Sequence, residues 1–202
     1  TCRVGQTVRR PTRQHEPFGR IGRKALAQIG RELEREVGHE RPQDTAGRLR
    51  DNLSSLMEEQ AEPVDGAAHM LAGVLAAGLP IRVGSNSSIK EMEAKFDRTD
   101  MTDAFPAERI HSANDMGHPK PSPEVYLHAA RTEGVKAEEC VVIEDSDTGA
   151  EAALKAGMAC VLLRDADAPL PAFWPAPGFV RISHLSELVP MLRNALKAQK
   201  QS

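Results

Sequence analysis

Three short stretches of this chain gather residue types that can hold an anion and a hard cation. Gly84-Ser85-Asn86-Ser87-Ser88 follows the apolar Ile81-Arg82-Val83 and offers a hydroxyl, an amide and the N–H groups that open a helix. Such a strand-to-helix loop can cradle an anion. A plain N-cap at Ser87 or Ser88 would use the same residue types. In Gly117-His118-Pro119-Lys120-Pro121-Ser122-Pro123-Glu124, two prolines bracket Lys120 and fix its backbone. Ser122-Pro123-Glu124 reads there as N-cap, N1 proline and first-turn acid. A lysine so held suits fixing a phosphate or neutralising a carboxylate; a solvated lysine in a rigid turn has the same sequence. Glu144-Asp145 follow the apolar Cys140-Val141-Val142-Ile143. Two carboxylates ending a buried strand are costly unless they hold a cation, and all-oxygen ligands favour Mg²⁺.

The elements that must position these groups are legible from hydrophobic period. Helices are predicted over about 65–77, 88–97, 122–133 and 148–156, with a last one starting near Ser183. Apolar runs lie between them at 81–83, 109–111, 140–143, 160–163 and 179–182. Short apolar runs alternating with helices predict an α/β fold, a doubly wound parallel sheet covered on both faces. Ligands then sit at the carboxyl ends of the strands, where all three stretches fall. Gly149 with Ala150, Ala152, Ala153 and Ala156 lets the 148–156 helix approach the sheet closely.

Upstream the pattern differs. Leu26, Ile29, Leu33 and Val37 share one helix face, and Leu49, Leu53, Leu56 and Met57 suggest a second helix. The expected domains are a basic, disordered tail over 1–19, a helical segment over 20–62 and the α/β core over 63–202.

Composition excludes several classes. The 202 residues are 40% hydrophobic with a net charge of −3, so no basic field points to nucleic acid. The longest apolar stretch, Met70 to Pro80, is about half the ~20 residues a membrane span needs. Cys2, Cys140 and Cys160 are too scattered for a disulfide framework or a CxxC site, which sets a reducing cytoplasm as the expected location.

Taken together, three segments resemble the haloacid dehalogenase superfamily in its sugar-phosphatase and β-phosphoglucomutase-like branch. They are Val83 to Ser88, Lys120-Pro121-Ser122-Pro123-Glu124-Val125-Tyr126, and Ile143-Glu144-Asp145-Ser146 through Gly149 to Met158. They look like that family's second, third and fourth motifs, in order. The resemblance implies a Rossmann-like core and places 20–62 as part of the family's helical cap. By it, Ser85 and the backbone at Asn86 would hold the transferring phosphoryl group, and Lys120 would bind the same phosphate. Glu144 and Asp145 would organise Mg²⁺, Asp145 the closer. The implied activity is that of a phosphatase, or of a phosphomutase-like enzyme, on a small phosphorylated metabolite such as a sugar phosphate, through an aspartyl-phosphate.

The family opens on a strand ending in Asp-x-Asp, and no Asp precedes Asp44 in these 202 residues. Cys2 to Val8 is the one weak strand candidate and supplies no carboxylate. Asp145-Ser146-Asp147 is not that motif, because Lys120 stands upstream of it and the fourth motif's alanines follow. Asp165 and Asp167 read as solvated loop acids. The expectation is a truncated or degenerate copy, inactive as it stands, with a non-catalytic phosphate-binding protein as the alternative. By the resemblance the absent strand lies between those ending at Ser85 and Glu144, so residues 1–9 or a partner chain are expected to fill its place. His111 and His118, flanking the third motif, read as solvated loop histidines with substrate contact as the alternative, and Phe173 and Trp174 as cover for a sheet edge with a partner contact as the alternative.

Overall fold

Successive side chains of a strand point to opposite faces of its sheet, and in the inner strands here both directions are apolar. In a computed structural model that describes residues 60–199, Val142, Cys160 and Leu162 join one buried cluster and Ile143 and Val161 the other. Both faces are therefore covered, as the continuous apolar runs require. The chain divides into two compact units, and Glu62–Ser202 falls in one of them. The tail over 1–19 and the helical segment over 20–62 lie outside the described residues except for 60–62, as does the candidate strand Cys2 to Val8.

The order is α1 (Ala67–Ala76), β1 (Val83–Ser85), α2 (Ile89–Arg98), β2 (Ile110–Ser112), α3 (Glu124–Glu133), β3 (Val141–Glu144), α4 (Asp147–Lys155), β4 (Ala159–Leu163), β5 (Phe179–Ile182) and α5 (Leu188–Gln199). Every strand pair is parallel: β1 with β2, and β3 with β4 with β5. Among the described residues β1 and β3 are not paired with each other, so the strands form a pair and a triplet. The first cluster gathers Met70, Leu71 and Val74 of α1, Met92 and Phe96 of α2, and Leu188 and Leu192 of α5. The second gathers Val125, Tyr126 and Ala130 of α3 with Ala150, Ala152 and Ala153 of α4. Helices thus lie on both faces, and the doubly wound α/β architecture holds.

Three local readings change. β1 runs from Val83 to Ser85 rather than over 81–83, which carries the pairing into the site loop itself. The cap of α3 is Pro123, and Ser122 Oγ accepts from the Glu124 N–H at a long 3.5 Å. The last helix begins at Leu188 rather than near Ser183. Glu187 accepts from the Ser183 and His184 N–H groups, and a single 3₁₀ turn over Leu185–Glu187 intervenes. Phe173 and Trp174 meet Phe179 of β5 edge-on, at 6.0 and 6.2 Å between ring centroids, and cover that side of the sheet.

Candidate functional site

Lys120 contacts both Asn86, beyond β1, and Glu144, which ends β3, so the carboxyl ends of these two strands meet, and the loops there carry the polar groups. Glu144 continues the Val142 face of β3, the side on which α3 and α4 pack, so its side chain enters a space between two helices. It is 4% exposed. A carboxylate at that depth needs partners for both oxygens. Oε1 accepts from the Lys120 ammonium and from the Tyr126 phenol. Oε2 accepts from the Ser146 hydroxyl at 2.9 Å and its N–H at 3.4 Å. Burial alone would raise the Glu144 carboxyl. The Lys120 charge, with the hydrogen bonds from Lys120, Tyr126 and Ser146, outweighs it and holds the carboxyl below its ordinary value.

Gly149 makes this position possible. A Cβ there would overlap the carboxyl carbon and both oxygens of Glu144. The small residue expected to bring helix to sheet instead makes room for a buried charge. Ser146 caps α4, its Oγ accepting from the Gly149 N–H at 3.0 Å.

Lys120 links the second stretch to the first and the third. Its N–H donates to Asn86 Oδ1 at 2.8 Å, while its ammonium lies on Glu144 and 4.8 Å from the centroid of the Tyr126 ring. Its side chain is 8% exposed, so the solvated lysine of the alternative reading is not what the structure holds. The Asn86 side chain is thereby engaged. The Asn86 backbone carbonyl accepts from Asn114 Nδ2.

The helix-end cradle is corrected. Ser85 Oγ accepts from the Ser87 N–H at 3.1 Å, and Ser88, not Ser87, is the N-cap of α2, in a capping box with Glu91. Asp115 Oδ2 accepts from the Ile89 N–H at 3.0 Å and Ser88 Oγ from the Glu91 N–H. These N–H groups of the first turn are taken, and a carboxylate stands at the helix end. Burial lowers the Lys95 ammonium despite Glu91 nearby, and that ammonium donates to Ser87 Oγ at 2.9 Å.

Asp145 is half-buried beside Glu144. Arg164, at the end of β4, donates to the Asp145 carbonyl at 2.6 Å, to Asp147 Oδ1 at 2.6 Å and to the Pro169 carbonyl at 2.8 Å. This clamp fixes the loop that presents Asp145. Asp147 opens α4 and is ion-paired with Arg164, while Asp165 and Asp167 are exposed. Among the described residues no three His, Cys, Asp or Glu side chains come together as a cage for a cation. Both Glu144 oxygens are taken by Lys120, Tyr126 and Ser146, so of the two expected metal acids it is Asp145, half-buried on its loop, whose carboxylate fits Mg²⁺. That ion takes one or two carboxylates and completes its shell with water and substrate phosphate.

Sequence reasoning quoted Tyr126 within the third motif but gave it no role, and missed Arg164, Asn114 and Asp115. Tyr126 fell in an apolar helical period, and the other three act across gaps of 19 to 28 residues. His111 is not a solvated loop residue: it lies buried in β2, ring to ring with His128 at 5.0 Å and 3.4 Å from Arg82. It sits beside Gly84 in register, short of the strand end. His118 is exposed.

Cys160 packs in the same buried cluster. Burial first, then the Glu144 charge, pushes its thiol up to about 12. Since the thiolate is the nucleophile, iodoacetamide at about pH 8 leaves Cys160 unmodified in the folded chain. Peptide mapping that finds it alkylated at the rate of a free thiol would contradict that. No helix among the described residues is long and apolar enough to cross a membrane.

The profile of the haloacid dehalogenase-like hydrolases matches residues 14–163. Hexitol phosphatase B of Escherichia coli (strain K12) is 31% identical over 150 residues, 72% of this chain and 64% of that protein. The 6-phosphogluconate phosphatase of the same strain is 30% identical over 109 residues, 54% of this chain and 48% of that protein. The chain thus spans less than two thirds of the length of either relative. A HAD family hydrolase from Deinococcus radiodurans R1, solved with bound phosphate and sodium, superposes with a TM-score of 0.68 at 29% identity, covering 90% of this chain and 82% of that one. With three motifs in order on a parallel α/β core, and a match over most of its length, this chain belongs to the haloacid dehalogenase-like hydrolases.

Proposed function

We propose that this chain carries the phosphate- and metal-binding part of a Mg²⁺-dependent phosphatase for a small phosphorylated metabolite of the sugar-phosphate class, acting in the cytoplasm. The observation that supports it best is the double engagement of Lys120: its backbone on Asn86, its ammonium on Glu144. One residue thereby ties the anion loop of β1 to the acids of β3. Ser85 Oγ and the Asn86 N–H bind phosphate oxygens, and Lys120 neutralises their charge. Asp145, on the loop that Arg164 clamps, holds the metal, while Glu144, with both oxygens engaged, fixes Lys120 beside it. The bound Mg²⁺ would supply charge neutralisation on the phosphoryl oxygens. The relatives' names, a hexitol phosphatase and a 6-phosphogluconate phosphatase, favour a polyhydroxylated phosphomonoester.

The family's covalent step needs an aspartate, and no Asp precedes Asp44. The 202-residue chain is accordingly expected to bind a sugar phosphate in the presence of Mg²⁺ and to release no inorganic phosphate from it. Mg²⁺-dependent release that Asp145→Asn abolishes would show that the chain holds a complete centre.

A further inference from the structure

Tyr126 is the chain's single tyrosine, and its phenol donates to the same oxygen of Glu144 that takes the Lys120 ammonium. A core position on α3 would be filled as well by phenylalanine, and a buried O–H is costly without an acceptor. Two glycines clear the space for this arrangement. A Cβ on Gly84 would lie 3.1 and 3.2 Å from the Tyr126 ring carbons, and a Cβ on Gly149 would displace the Glu144 carboxyl. The ring in turn lies beside the ammonium, 4.8 Å from its centroid. The phenol and the ammonium therefore share Oε1, the Ser146 hydroxyl and N–H occupy Oε2, and the carboxylate has one orientation.

We propose that Tyr126 is a positioning residue, whose O–H holds Glu144 and so keeps the Lys120 ammonium available to the phosphate. This rests on the phosphate site proposed above. An ammonium has three protons. With the phenol sharing Oε1, Lys120 is bound to Glu144 through one of them, less tightly than it would be alone. Removing the phenol draws Lys120 onto the carboxylate, in competition with the ligand.

The test uses the full chain and inorganic phosphate with Mg²⁺. Tyr126→Phe keeps the ring against Gly84 and beside the ammonium, and is expected to weaken phosphate affinity by about tenfold, the scale of one hydrogen bond to a charged group. The wild-type chain carrying [ζ-¹³C]tyrosine gives one resonance. It is expected to move on adding phosphate, and to move toward free tyrosine in Glu144→Gln without ligand. That second arm does not depend on the fold of the Phe variant. A resonance unmoved by Glu144→Gln, or a Phe variant that binds phosphate as tightly as the wild type while Lys120→Met does not, overturns this inference alone. A wild-type chain that binds no phosphate removes the proposed function, and this inference with it.

Discussion

Lys120→Met is expected to destabilise the core unit by about 3–5 kcal/mol, the cost of stranding a buried charge, and to abolish phosphate binding. Glu144 is 4% exposed, and Lys120 is the cation on it. The neutral donors that remain, Tyr126 and Ser146, cannot balance a full charge at that depth. The pH dependence separates this cause from simple loss of packing. In the wild type the Glu144 carboxyl lies below its ordinary value of 4.5. Its contribution is therefore complete above that value and is lost as the pH falls through the lowered one. In Lys120→Met burial dominates and the carboxyl rises, so the penalty is greatest at neutral pH and shrinks as acid protonates Glu144. The groups facing it are Lys120, Tyr126 and Ser146, with Asp145 beside it and Cys160 in the same cluster. Adding Glu144→Gln to Lys120→Met is expected to restore most of the loss at neutral pH. Urea unfolding at neutral and acid pH checks both points. A Met variant within about 1 kcal/mol of the wild type, with the same pH dependence, would show that the pair does not hold the site.

The second large effect runs against helix propensity. Alanine is the better helix former by about 1 kcal/mol, so Gly149→Ala in α4 would stabilise an open helix. Here the new methyl would take the volume of the Glu144 carboxyl. Overpacking and displacement of a buried charge from its donors together predict a loss of about 3–5 kcal/mol, with loss of metal binding. The same methyl is tolerated if the carboxyl is removed. Gly149→Ala combined with Glu144→Ala is expected to recover much of the stability of Gly149→Ala alone. Thermal melts of the two variants decide it. A single Ala variant as stable as the wild type would mean that Glu144 does not occupy this space.

What the sequence makes legible here follows from range. The parallel α/β core is written in period: Val142 and Ile143 need opposite apolar faces, and both exist. Lys120 and Glu144-Asp145 stand out because prolines fix one and a buried strand delivers the others. Tyr126 does not, because in α3 it obeys the same spacing as any core residue, and only its neighbour across the sheet edge gives its O–H a purpose. The α2 terminus misleads for the converse reason. Its serines read as an anion cradle until Asp115, 26 residues from Ile89, is brought onto the Ile89 N–H. Gly149 was legible in kind, as a close approach, but the thing approached is a carboxylate rather than the sheet.

Calorimetric titration of the full 202-residue chain with inorganic phosphate, with and without Mg²⁺, tests the central claim most directly. Ser85→Ala and Asp145→Asn, both at half-buried positions that leave the Lys120–Glu144 pair intact, serve as the variants. The account predicts binding that Mg²⁺ strengthens, weakened at least about tenfold by Ser85→Ala and made insensitive to Mg²⁺ by Asp145→Asn. No binding by the wild-type chain, or binding that neither substitution changes, would contradict it.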